Sequence, residues 1–366
     1  MGVEVTLVRS AADWRDFLAL PDSIQGGDPD YTRAAPAALR RRLEAMDSAR
    51  HDLWLVRREG QPIARVGAWL AEGLTGVEGV AGLLGLFESR DDLEAARPLL
   101  RAAREWLRQG GARAAFGPLD GDTWHRYRFN LGPRDTRPFL LEPVNPPWYP
   151  QLWLACGFTE TARYLSKQVP DMAAVLPAFA GAHAQARAAG YRFRPLDPAR
   201  FEQELELLHQ LACRIFPVNP FYSPSGLEDF RDLYRPLKPV LDPGLVWFCH
   251  DRSGAPAAFL FSLPDQFEAL RSMRGRCGPL ARLRFWLRRH TDTLNIKSMG
   301  VCPEQRGQAL GTALIHQAFA AGLERGLHRA NLCLMHESNR STGYDAGLGV
   351  VSRRYALYRH DLEGAT

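Results

Sequence analysis

Val3, Val5 and Leu7 recur at every second position at the head of the chain, the period of a half-buried strand. Over 11–20 the apolar spacing lengthens to that of a helix, and a polar turn over 26–30 separates it from a second helix over 36–46. Strands over 52–58 and 62–70 follow, joined by Glu59-Gly60-Gln61. Next come an apolar run over 80–88, a helix over 93–109 and a strand over 113–119. Beyond an irregular stretch lie a short helix over 148–156 and a strand through Tyr164. An alanine-rich helical segment over 171–190 reads as a connector.

The same pattern then recurs. Leu53-Trp54 with Gly60-Gln61-Pro62 is echoed by Val246-Trp247 with Gly254-Ala255-Pro256, and the helix exit at Gly110 by that at Gly326. Gly157 finds its counterpart in Gly349. The first block has a longer loop over 120–147; the second has an arginine-rich insertion over 268–290. Two blocks of one topology predict a tandem α/β (α+β) protein with mixed central sheets flanked by helices. The expected boundaries are 1–170 and 191–366, joined by the connector over 171–190.

Between strand and helix the two blocks differ in chemistry. In the second, an extended run over 294–301 turns at Pro303 into Arg306-Gly307-Gln308-Ala309-Leu310-Gly311. Helical spacing begins at Thr312, continues through Leu314, Ile315, Ala318, Phe319 and Leu323, and stops at Gly326. A strand that feeds a helix through such a loop points unpaired backbone N–H groups, and the positive end of the helix dipole, at one spot suited to a pyrophosphate. In the first block the corresponding residues are Phe87-Glu88-Ser89-Arg90-Asp91-Asp92, whose carboxylates satisfy the helix end themselves and repel phosphate.

Val301, Pro303 and the Arg306–Gly311 loop resemble the acetyl-CoA signature of the GNAT acetyltransferases, Q/R-x-x-G-x-G/A, with Ala309 standing where the first signature glycine belongs. The resemblance implies two tandem GNAT-like acyl-CoA N-acyltransferase folds, the first degenerate, with acetyl-CoA or another acyl-CoA as co-substrate of the second. It puts Met299 and Val301 along the pantetheine, with the Val301 N–H polarising the thioester carbonyl. It puts Arg306, Gly307, Gln308, Ala309, Leu310, Gly311 and Thr312 around the pyrophosphate. Asn339, at the head of the following helix, would touch the pantetheine, and Tyr344 would protonate the departing thiolate. Glu337 or His336 would serve as base. The acyl group would pass directly to the amine of an unidentified small molecule within a ternary complex. In the long loop of the first block, Trp124, His125, Tyr127 and Arg128 are candidates for the acceptor side; an arginine-aromatic stack that merely orders the loop explains them equally.

Composition narrows the class further. The chain has 366 residues and a formal charge of +5 that is almost wholly arginine, since Lys167, Lys238 and Lys297 are the only lysines. That bias points to a GC-rich bacterial genome. The insertion over 268–290 either draws CoA phosphates or an acidic partner, or forms a solvated amphipathic helix packed by its aromatic residues. Six scattered cysteines form no C-x-x-C pair, and no metal-ligand spacing, signal peptide or membrane-length apolar run stands out. A cytoplasmic protein with a small-molecule amine as partner is expected, with neither membrane nor nucleic acid; the oligomeric state stays open. Two rival readings remain, a non-catalytic acyl-CoA-binding or regulatory module and an aminoacyl-tRNA-dependent transferase of tandem GNAT fold.

The contrast between the two loops predicts one CoA site per chain. Titration calorimetry with CoA should give a stoichiometry near one per chain; two sites of equal affinity would contradict it.

Overall fold

The structure, a computed structural model, describes residues 2–32, 36–47, 49–276 and 278–362. The opening alternation forms β1 (Glu4–Leu7), and Ser10 starts α1 (Ala11–Gln25) with a reciprocal capping box: its hydroxyl accepts from Asp13 N, and the Asp13 carboxylate accepts from Ser10 N. The first half continues through α2 (Pro36–Glu44), β2 (His51–Arg58), β3 (Gln61–Glu72), β4 (Val80–Ser89) and α3 (Leu93–Gln109). It ends with β5 (Ala114–Gly117), β6 (Phe129–Gly132), α4 (Trp148–Ala155) and β7 (Thr159–Val169). α5 (Met172–Val175) and α6 (Pro177–Ala188) lead into β8 (Arg192–Pro195), α7 (Phe201–Ile215), α8 (Leu227–Tyr234), β9 (Val246–His250) and β10 (Pro256–Pro264). α9 (Phe267–Ser272) and α10 (Pro279–Arg288) occupy the arginine-rich insertion. β11 (Thr293–Val301), α11 (Leu310–Glu324), β12 (Arg329–His336) and β13 (Val350–Asp361) follow.

The strands form one mixed sheet in the order β1-β2-β3-β4-β5-β13-β7-β12-β11-β10-β9-β8, with β6 added against β13. Each half begins at an outer edge and builds inward by antiparallel hairpins, and its one parallel pair (β4 with β5, β11 with β12) is bridged by a helix, α3 or α11. At the centre the halves exchange strands. β7, from the first half, pairs with β12 of the second through Ala330↔Val169 and its neighbours, while β13 pairs with β5 through Tyr358↔Gly117. β7 and β13 lie antiparallel to one another along nearly their whole length. The repeat visible in the sequence is thus a pair of units fused into a single sheet.

Helices cover both faces because each sheet face and one stripe of each helix are apolar. Leu99, Leu100, Ala103 and Leu107 of α3 are fully buried against β2–β4, and Ala313, Leu314, Ile315, Ala318 and Phe319 of α11 are fully buried in the second half. Each such leucine or phenylalanine contributes about 1.5–3 kcal/mol by leaving water. The five described cysteines are free and four are buried; Cys277 lies outside the described residues.

A fragment of residues 1–170 lacks both β12 and β13, so β5 is left as an open edge and β7 has no strand beside it on either side. Expressed alone, it should aggregate or remain partly unfolded. A monomer on gel filtration with a cooperative melt would contradict this.

Candidate active site

β11 and β12 run as a parallel pair only from Thr293↔Arg329 to Ile296↔Leu332, and then separate. Both strands are irregular at the parting. The register of β10 with β11 shifts at Phe261/Ser262, and that of β12 with β7 shifts between Leu332 and Met335. Leu334, inside the second bulge, has φ 57°. Both of its backbone groups are held by the first half: its N–H donates to Ser166 Oγ of β7 at 2.9 Å, and its carbonyl accepts from Arg128 Nη1 at 2.9 Å. The Arg128 guanidinium lies between the rings of Tyr127 and Tyr164, 3.7 and 3.9 Å from their centroids. Burial pulls its pKa down to about 10.

The slot between β11 and β12 leads to the start of α11. Because Cys302 N donates to Ala257 O, strand alternation turns the N–H groups of Val301 and Met299 away from β10 and toward the slot. Gly307 has φ 88°, and Ala309 caps α11 in the left-handed region at φ 55°, with no side chain bonded to the helix's first N–H groups. The methyl group at Ala309 is therefore tolerated at a backbone cost of about 1 kcal/mol, and Arg306, Gly307 and Gln308 stand exposed around the turn. Gly311, in the first helical turn, leaves space that the Tyr344 hydroxyl fills. Tyr344 closes a short 3-10 helix over Arg340–Gly343, where a short helix was expected. That turn is tied to β7, where Lys167 Nζ donates to Thr342 O and Asp345 Oδ2, both at 2.7 Å. Burial raises the Tyr344 phenol above its ordinary pKa and keeps it protonated.

The equivalent place in the first half is zipped shut. Leu119 N donates to Leu84 O at 2.7 Å, and Leu86 N donates to Asp120 Oδ1 at 2.6 Å, which joins β4 to the segment after β5 where β11 and β12 part. Asp92 caps α3 by accepting from Ala95 N, and the buried Glu88 carboxylate accepts from Gln25 Nε2 at 2.6 Å and from the Tyr149 hydroxyl at 2.7 Å.

A cavity of about 710 Å³ opens where the slot meets the long loop of the first half, a size typical of small-molecule sites. Met299, Asn339 and Tyr344 line it from the slot side; Trp124, His125, Tyr127 and Arg128 line it from the loop. The loop is anchored in the second half: Trp124 Nε1 donates to Ser223 O at 2.9 Å, and its ring packs on Phe216, Tyr222 and Phe230. Met299, Asn339, Tyr344 and the four loop residues named from sequence thus meet at one cavity. Val301 and the residues from Arg306 to Thr312 lie beyond it, along β11 and the turn into α11.

His125 Nδ1 lies 2.8 and 2.9 Å from the two Asp122 oxygens, so this nitrogen carries a proton, and in the neutral tautomer the lone pair belongs to Nε2. His336 is the reverse. Its Nδ1 accepts from Ser338 N at 3.2 Å, so its proton sits on Nε2 and it is a donor. Burial, then the nearby Arg128 charge, lowers its pKa and keeps it neutral. Glu337 does not reach the cavity; it faces Arg354 at 3.2 Å. Arg126 is engaged by Glu88 at 3.4 Å and Asp120 at 3.6 Å. Three groups were not anticipated. Asp122 orients His125. Glu142 lines the cavity, buried, and bonds to Tyr355 and Arg353. Lys297 also lines it and donates to Leu140 O at 3.1 Å, its pKa lowered by burial. The D-x-x-H spacing of Asp122 and His125 was the one signal available in the sequence.

The profile of the acetyltransferase (GNAT) family matches residues 205–344. Over 373 aligned residues, 98% of this chain and 96% of the other, the chain is 26% identical to a bacterial ceramide synthase of Caulobacter vibrioides. In structure it resembles a tandem GNAT protein of the clavulanic acid biosynthesis pathway over all of both chains, with 14% identity and a TM-score of 0.53. A probable N-acyltransferase of Enterococcus faecalis V583 matches 99% of this chain and 73% of its own, with 9% identity and a TM-score of 0.57.

Replacing Arg128 with Met removes the donor to the Leu334 carbonyl and should lower stability by about 2 kcal/mol. It should also weaken CoA binding, although Arg128 lies on the cavity side of the slot. Thermal melts and CoA titration of R128M check this; unchanged CoA affinity would show that the bend in β12 holds without the guanidinium.

Proposed function

The chain belongs to the GNAT acetyltransferase superfamily, in tandem form, and from that premise we propose that it transfers a long-chain acyl group from CoA to the amine of a long-chain amino alcohol or a close relative. The observation that carries the reading is the course of the slot. It runs from the open first turn of α11, between β11 and β12, into a cavity walled by Tyr127, Phe216, Tyr222, Leu233 and Tyr234. A pyrophosphate suits the first site, a thioester the second, and an apolar chain the third. Likeness to a bacterial ceramide synthase along nearly the full length supports an N-acyl product with two apolar chains over an acetylated polar amine.

In this reading His125 Nε2 takes the proton from the acceptor ammonium, and Asp122 stabilises the imidazolium that forms. The amine nitrogen attacks the thioester carbonyl, whose oxygen draws on the Val301 N–H as negative charge develops. The C–S bond breaks and the thiolate takes a proton from the Tyr344 phenol; the second proton of the attacking nitrogen is lost through solvent and restores the phenol, His125 gives its proton to solvent, and the products are an amide and free CoA. The Nε2–H of His336 orients an acceptor oxygen next to the amine.

Mass spectrometry of products from a matrix of acyl-CoA donors and amines tests the reading. A long-chain donor with a long-chain amino alcohol should outpace acetyl-CoA with a small polar amine by on the order of a hundredfold, since each lost methylene forfeits apolar binding. His125→Gln should cut kcat about 10²–10⁴-fold with CoA affinity unchanged. Tyr344→Phe should lower kcat more than it changes CoA binding. CoA binding without turnover on any amine would favour a binding module instead.

A further inference from the structure

Of the two aromatic residues in the arginine-rich insertion, Phe285 packs inward and Trp286 does not. α10 meets the rest of the protein through Ala281, which is buried, and Phe285, which is partly so. Leu280, Leu283, Trp286 and Leu287 are 72%, 52%, 57% and 60% exposed. At roughly 100° per residue these four fall within an arc of about 120° on the side away from Ala281 and Phe285. Arg284 and Arg288 border one edge of the arc, and Arg282 and Arg289 the other, where Arg289 also lies over the Trp286 ring at 5.7 Å. No acidic residue interrupts the sequence between Glu268 and Asp292, whereas Arg271, Arg274 and Arg276 add to its charge.

We propose that α10 is an interfacial helix that docks the protein on the surface of an anionic phospholipid bilayer. An apolar stripe with leucines and a tryptophan, edged on both sides by arginines, is the arrangement that lies in the plane of a membrane interface. The apolar side chains enter the acyl boundary and the guanidinium groups meet lipid phosphates. A polyanion alone would be met by the arginines and would leave the leucines and Trp286 in water. The helix pair is also joined to the cavity rim. Leu140 N donates to Asp265 Oδ1 at 2.9 Å, Arg137 pairs with Glu268 at 2.9 Å, and Arg271 donates to Pro29 O at 3.0 Å. Leu141 and Thr32, adjoining these contacts, line the cavity. Among the described residues no helix is long and apolar enough to cross a membrane, and the proposed contact is with the surface. The proposal departs from the expectation that a membrane plays no part.

The proposal stands apart from the acyl-transfer reading and is tested without turnover. The full chain is floated with vesicles of phosphatidylcholine alone and of phosphatidylcholine mixed with phosphatidylglycerol. It should float with the anionic vesicles, lose binding as salt rises, and stay behind with neutral ones. The double variant L283E/W286E should bind the anionic vesicles at least about tenfold more weakly, with its melting temperature and CoA titration unchanged. Arg282→Gln with Arg284→Gln should weaken binding and flatten the salt dependence. Flotation of L283E/W286E equal to that of the parent, no flotation of the parent at low salt, or retention on RNA by a parent that ignores vesicles would each overturn the proposal. Unaltered CoA binding in those variants would leave the acyl-transfer reading where it was.

Discussion

The contact from Arg128 to the Leu334 carbonyl is the interaction on which the site depends. A parallel pair left to itself keeps its hydrogen bonds, and β11 with β12 would close as β4 and β5 do. The bulge at Leu334 prevents closure only because both of its backbone groups find partners elsewhere, in Ser166 and Arg128. Those partners come from the first half. A buried cation between two tyrosine rings is an expensive group to maintain, and the lowering of its pKa reflects that cost. Its position gives the unit without a phosphate loop a part in shaping the slot of the other. It holds the other unit's slot open.

A second consequence is a division of labour that charge enforces. In the first half, Glu88, Asp92 and Asp120 occupy the places where a cofactor's phosphates and amide chain would lie, and each makes hydrogen bonds there. In the second half the run from Arg306 to Thr312 holds no acid, and Gly307 and Ala309, both with positive φ, carry the turn. The long loop of the first half then supplies side chains to the other unit's cavity, with Trp124 embedded among second-half aromatics.

Much of this was legible in the residues, and the failures have physical reasons. The repeat, the order of strands and helices, and the loop from Arg306 to Gly311 follow local rules of spacing and turn chemistry, which act over a few residues. The strand through Tyr164 that became β7 was readable, but nothing local states that it pairs with β13 and β12 from the far end of the chain. His336 and Glu337 are adjacent, and strand alternation can place only one of them in the cavity. The extra residue at Leu334 shifts that count, so reading along the strand cannot tell which. The orientation of His125 by Asp122 depends on a loop conformation that D-x-x-H permits without dictating it. The exposure of Trp286 was missed for a simpler reason: an amphipathic stretch reveals its stripe, but not whether the stripe meets protein or solvent.

The exchange of β7 and β13 also sets a timetable. A ribosome makes β5 early, yet its partner β13 emerges only after nearly all of the second half has been added. During that interval the first half carries an unpaired edge beside an apolar sheet face, a surface prone to pair with strands of other chains. Neither unit can close its sheet before the other is largely made, so their maturation is coupled even though their outer hairpins form locally. A protein assembled this way should need chaperone protection in proportion to how slowly its second half is translated.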